Sequence, residues 1–254
     1  MRLREPPPAI IASLQAKHAK DLKGVLATEL DVIQEGCTKA IWEKAQLIPP
    51  WTQADHSCCL LIHTTEEGRH EEELSMVSAQ VIKSAVICSA RRDMVVIYHF
   101  CHQNKSTGPA AVVNMMKSLI HQLHARKATP SASWNGDLES LKLESLKNAF
   151  EESVRFVSKD TTLVCVIDGL GRYYDRDRAG QTKLVLQSIV ERAAQSECRF
   201  KLLITVSGSP LANRIRLESK LKAEDVKGYD DGGLVNHRHG HSDRHFRKPA
   251  LVWA

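Results

Sequence analysis

Aromatic residues are scarce in this chain of 254, at 5%, so its core has to be built from aliphatic side chains. No apolar run approaches the roughly 18 to 20 residues that span a bilayer, which argues against a membrane helix. There is no block of one charge sign either. The 35 basic and 30 acidic residues are interspersed, and a net charge of +5 spread in this way is weak support for a nucleic-acid partner. Pro6-Pro7-Pro8, followed by Lys17, Lys20 and Lys23, interrupts anything resembling a signal peptide's apolar segment, so a cytoplasmic address is expected. The seven cysteines are odd in number and lack paired metal-ligand spacing, and they read as structural thiols, with Cys101 and Cys165 inside strands. Nucleophile elbows, paired catalytic carboxylates and dinucleotide fingerprints are absent as well.

What the chain does have is alternation. Cys58 to His63, Met94 to Phe100, Leu163 to Ile167 and Lys201 to Val206 are short apolar runs of strand type. Between them, apolar residues recur at helical spacing. One set is Leu74, Val77, Val81, Ile82 and Ala85, and the next is Val112, Val113, Met116, Leu119, Ile120 and Leu123. Leu143, Leu146, Phe150 and Val154 follow within a helix expected over Leu141 to Val157, then Leu184, Leu186, Ile189, Val190 and Ala193. Strands alternating with helices predict an α/β fold with a mostly parallel sheet covered on both faces. Ahead of it, Ile10 to Ile33 fits one or two amphipathic helices, and Ile48-Pro-Pro-Trp51 reads as a break at the entrance to the main domain.

The expected organisation is a helical lead-in over 1–50, one α/β domain over 51–221 and a largely unfolded His/Arg-rich tail over 222–254. Four histidines in His237 to His245 could chelate a transition metal, but an unfolded tail supplies neither fixed geometry nor supporting hydrogen bonds. His99 and Cys101 alternate on one strand and read as packing residues, and Met115 and Met116 read as core filler.

The strand Leu163 to Ile167 delivers Asp168 at its carboxyl end, followed at once by Gly169. An acid placed there can assist a metal ion or phosphate, or it can simply open the turn. The stretch His63-Thr-Thr-Glu-Glu-Gly68-Arg69-His70 lies between a strand and a helix, the setting of a phosphate-binding loop.

The order of segments resembles the fungal NACHT-type P-loop NTPase domains, relatives of the nephrocystin-3-like N-terminal domain of STAND signalling proteins. The resemblance runs from Ile41 to Leu217. Trp42 to His63 is similar to that family's lead-in helix and first strand, Tyr98-His-Phe-Cys101 to its second strand, and Leu119-Ile-His-Gln-Leu123 to the helix after it. Val164 to Leu170 is similar to the Walker B strand, and Leu202 to Val206 to the sensor strand. The resemblance implies a P-loop NTPase-like three-layer fold, ATP or GTP bound with magnesium, assistance to that magnesium from Asp168, and a nucleotide-driven change between closed and assembled states.

The motifs depart from the family at three places. In the phosphate loop only the second glycine, Gly68, remains. His63 obstructs the turn that the first glycine allows, and Glu66 and Glu67 place negative charge where a polyphosphate would be wrapped. Arg69 keeps the charge of the usual lysine without its compact ammonium, and His70 removes the magnesium-holding hydroxyl. After Asp168, Gly171-Arg172 replaces the acids that position water, and Ser207-Gly-Ser-Pro210 lacks the sensor arginine.

The sequence therefore points to a truncated, degenerate domain acting as an interaction or regulatory module, with a protein partner and self-association as the family's mode of action. Its remaining nucleotide contacts would be Gly68, Arg69 and His70, and its remaining metal contact Asp168. Two other readings stay open: a working ATP/GTP switch with atypical motifs, and an eroded gene product.

Overall fold

A computed structural model describes residues 16–27, 46–64, 71–89, 93–103, 109–125, 142–173, 179–207 and 250–253. Helix α1 covers 16–27 and α2 covers Ile48–Gln53. Then follow β1 (Cys58–Thr64), α3 (Glu71–Ser89), β2 (Met94–Phe100), α4 (Pro109–Ala125), α5 (Leu143–Arg155), β3 (Thr162–Asp168), α6 (Ala179–Gln195), β4 (Arg199–Ser207) and β5 (Ala250–Trp253). Short 3₁₀ turns follow β2 (Cys101–Gln103) and β3 (Leu170–Tyr173).

Every strand pairing is parallel, and the order across the sheet is β2-β3-β4-β1-β5. Right-handed crossovers then decide where the helices lie. The step from β1 to β2 runs one way along the sheet, and the steps from β2 to β3 and β3 to β4 run the other way. Hence α3 covers one face, and α4, α5 and α6 cover the opposite one. The side chains agree, because strand residues alternate between faces. Cys59, Leu61, Ile97, Leu163, Cys165, Ile167, Leu202 and Ile204 join the core under α4 to α6. Leu60, Ile62, Val96, Tyr98, Phe100, Val164, Val166 and Leu203 join the core under α3, together with Trp51 of α2 and Val25 of α1. Both faces are apolar, as a parallel sheet requires. The three-layer fold with a parallel sheet is the one expected, with an N-terminal helix packed on it.

Some local expectations change. Ile48-Pro-Pro-Trp51 opens α2 instead of breaking the chain, because proline at the first positions of a helix lacks only an amide that would have no partner there. Trp51 is buried, and its indole donates to the Cys58 carbonyl at 3.4 Å. Cys101 falls in the 3₁₀ turn after β2, not in the strand. Leu184 is half exposed, because Val185, Leu186 and Ile189 take the inward face of α6. Residues 250–253, expected within the tail, pair with Cys58 to Leu61 of β1. The tail histidines from His237 to His245 lie outside the described residues. Met115 and Met116 are buried in the core as expected, and Cys58, Cys59, Cys101, Cys165 and Cys198 are buried free thiols.

Candidate functional site: a buried carboxylate at the end of β3

Asp168 ends β3 on the same face as Val164 and Val166, so the two-residue period of the strand points it toward α3. Thr205 of β4 shares that face with Leu203, and Ser75 and Ser78, three residues apart, lie on one side of α3. The four meet. Asp168 has no exposed surface, and it accepts from Ser75 Oγ at 2.6 Å, Ser78 Oγ at 2.8 Å and Thr205 Oγ1 at 2.7 Å. Thr205 Oγ1 in turn accepts the amide of Gly169 at 2.9 Å. Gly169 has φ +69°, a left-handed conformation that glycine adopts without strain, and it turns the chain away just past the carboxylate. Burying a charge is expensive unless hydrogen bonds replace its water, and three hydroxyls do so here.

His102, in the turn after β2, brings Nδ1 to 3.4 Å from Asp168 Oδ2 and also 3.4 Å from Ser75 Oγ. A serine, a histidine and an aspartate thus stand together, but their connections are not those of a nucleophilic triad. In a triad the serine donates to the histidine and the histidine to the acid. Here Ser75 donates directly to Asp168, and His102 Nε2 faces the Gln103 amide at 3.0 Å. The arrangement does not activate Ser75.

Two neighbours complete the surroundings. Arg172, which follows Asp168 in the 3₁₀ turn, pairs through Nε and Nη2 with Glu71 Oε2 at the start of α3, with Nε at 3.0 Å. The bond to Glu71 raises the Arg172 pKa above its usual value. Glu71, Glu72 and Glu73 fill the first turn of α3, so the helix end that would face a phosphate carries its own carboxylates. On the other side, His99 Nε2 and the Tyr173 hydroxyl lie 2.9 Å apart, and burial lowers the His99 pKa to about 3, leaving it neutral. Burial, with Asp168 nearby, pushes the Cys101 thiol well up. His99 and Cys101 are therefore packing groups, and among the described residues no set of three histidines, cysteines or acids could hold a metal.

A magnesium ion fits this carboxylate poorly. Asp168 offers roughly four acceptor positions and three of them take hydroxyl protons, while magnesium demands oxygen ligands in near-octahedral geometry. Gly68, Arg69 and His70, the other expected site residues, lie outside the described residues. At the end of β1, where the phosphate loop would begin, Thr64 Oγ1 is buried without a hydrogen-bond partner among the described residues. Asp168 is legible in the sequence as a site residue, whereas Ser75, Ser78, Thr205 and His102 carry no motif. Their signal was available in part: Thr205 is a polar residue inside an apolar strand, and Ser75 and Ser78 interrupt the apolar face of α3.

This is the architecture of a P-loop NTPase-like α/β domain, with an acid at the carboxyl end of β3 facing the helix after β1. The nephrocystin-3 N-terminal family matches residues 74–206, more than half of the chain, and the chain belongs to that family. No curated protein matches it. Solved structures similar to it include Drosophila ORC bound to DNA, at 12% identity and TM-score 0.42, and Drosophila ORC bound to GC-rich DNA and Cdc6, at 13% identity and TM-score 0.38. The first likeness covers 70% of this chain and 39% of the other, and the second 80% and 29%. The chain therefore spans well under half the length of either.

Proposed function

We propose that this chain is a nephrocystin-3-like domain that serves as an interaction or regulatory module, with nucleotide hydrolysis lost or weakened. The observation that carries this reading is the engagement of Asp168 by three buried hydroxyls. An acid poised for metal would keep lone pairs turned toward the ligand, whereas this one spends them tying α3 to β3 and β4. The pairing of Arg172, four residues after Asp168, with Glu71 supports it, because that cation is already neutralised. The module works through a protein partner or through self-association. No described helix is long and apolar enough to cross a membrane, and the buried free thiols suit a reducing cytoplasm.

A second reading, an ATP- or GTP-dependent switch with atypical motifs, is favoured by one observation. The unpartnered Thr64 hydroxyl at the end of β1 is the kind of buried group that a ligand or water satisfies. Melting temperature measured with magnesium-ATP and magnesium-GTP separates the two readings, with Arg69→Ala and Asp168→Ala run beside the unmodified protein. The module reading expects no nucleotide-dependent shift in any of the three and no phosphate release. A shift in the unmodified protein that both substitutions abolish would overturn it in favour of the switch.

A further inference from the structure

A column of rings runs from α1 to the Asp168 cluster. His18 of α1 meets Tyr98 edge-on with centroids 6.0 Å apart, Tyr98 meets Phe100 at 5.8 Å, and Phe100 meets His102 at 5.8 Å. Tyr98 and Phe100 stand on one face of β2 because they are two residues apart, and the following 3₁₀ turn carries His102 onward. His18, Tyr98 and Phe100 are all buried, so none of the three rings swings freely into water. At the far end, His102 Nδ1 lies 3.4 Å from both Asp168 Oδ2 and Ser75 Oγ.

A second route joins the same two places. Gly24 of α1 backs onto Gln103, whose Nε2 is 3.9 Å from the point a Cβ at residue 24 would occupy, and this nitrogen lies 3.0 Å from His102 Nε2. His102 is thus reached from α1 through the rings and through Gln103.

We propose that α1 is a latch whose seating is read at the Asp168 cluster, with the His18–Tyr98–Phe100–His102 column as the connecting element. Packed rings cannot tilt independently, since interiors are dense and edge-to-face contacts prefer particular angles. Removing His18 lets Tyr98 relax, and the change passes through Phe100 to the histidine beside Asp168. Coupling of this kind is reciprocal, so loosening Asp168 must loosen α1 to the same extent. The latch depends on no nucleotide and stands whether or not the chain has lost hydrolysis.

Hydrogen exchange on the full chain tests it, with His18→Leu, Asp168→Asn and Tyr98→Leu made singly and in pairs. Amides of residues 20–27 report on α1, those of 78–86 on α3, and those of 146–153 in α5 serve as a remote control. Asp168→Asn should speed exchange in α1 about five-fold or more, and His18→Leu should do the same in α3, with α5 unchanged. In the Tyr98→Leu background, both cross-effects should fall by more than half, with the remainder passing through Gln103, while each local effect persists. Changes confined to the mutated end, or cross-effects undiminished in the Tyr98→Leu background, would overturn the proposal. Should Asp168→Asn fail to fold, Ser75→Ala, which removes one donor to the same carboxylate, carries the same readout.

Discussion

One side chain, that of Gln122 in α4, holds both main-chain groups of Tyr98 in β2. The Tyr98 amide donates to Gln122 Oε1 at 3.0 Å, and Gln122 Nε2 donates to the Tyr98 carbonyl at 2.7 Å. β2 is an edge of the sheet, so the amide replaces at one residue the neighbouring strand that is missing. Replacement by leucine would take an acceptor from the Tyr98 amide and a donor from its carbonyl. Gln122→Leu should cost about 2 to 4 kcal/mol in urea unfolding and add concentration-dependent light scattering, as the edge becomes free to pair. Gln122→Glu keeps an acceptor for the Tyr98 amide and loses the donor, so it should fall between the two.

Asp168 should prove a structural residue. Asp168→Ala strands the hydroxyls of Ser75, Ser78 and Thr205 inside the fold, and on the order of 3 kcal/mol of stability should be lost. Asp168→Asn preserves the shape and one oxygen, and hydroxyls can turn to accept as well as donate, so it should cost about half as much. Urea unfolding of the two variants measures the difference. By contrast, Arg172→Ala should cost less than about 1 kcal/mol, because its partnership with Glu71 is open to solvent and screened. An Arg172 effect as large as that of Asp168→Ala would mean that the weight of the site lies in the ion pair.

The strands and the sequence of helices were legible because two-residue and three-to-four-residue periods are local properties of the chain. The face to which Asp168 turns was implicit in the same period, since Val164 and Val166 precede it. What met it there was not legible. Ser75 lies 93 residues away along the chain and Thr205 lies 37 away, and only the crossovers bring them together. Ile48-Pro-Pro-Trp51 shows a different limit. The same two prolines can break a chain or begin a helix, and the burial of Trp51 against β1, a tertiary contact, selects the second.

A buried cation at the opposite end of the sheet makes a separate prediction. Lys201, 1% exposed at the start of β4, donates to the carbonyls of Ala54 at 2.5 Å and His56 at 2.7 Å, and lies 3.3 Å from Cys58 Sγ. Three donors meet three acceptors, which fixes the connection between α2 and β1. Lys201→Met retains the apolar stem but leaves both carbonyls without donors, so it should lose about 2 to 3 kcal/mol. Lys201→Arg should not restore the loss, since a planar guanidinium cannot reproduce three divergent contacts in a closed space. Limited proteolysis near residues 54–57 should quicken in both variants, which would locate the damage at that connection.

Acid should weaken the fold through its buried histidines, and the direction follows from their shifts. Burial, reinforced by Lys17 and His121, lowers the His18 pKa to about 4, and burial lowers His99 to about 3. The unfolded value is about 6.5, so below that pH the unfolded chain takes up protons that the folded chain refuses. Their neutral seating is thus fully compatible with folding above about pH 6.5 and becomes a growing cost as the pH falls toward 4. Each histidine adds up to about 1.4 kcal/mol per pH unit to the decline, and His124, shifted the same way by burial, steepens it. Unfolding free energies measured between pH 6.5 and 5, above the range where most carboxylates titrate, isolate the effect. His18→Leu cannot take up that proton, so its stability should decline less steeply across this interval. An unchanged slope would mean that His18, seated against Tyr98 and Ser118, takes up its proton in the fold as readily as in the unfolded chain.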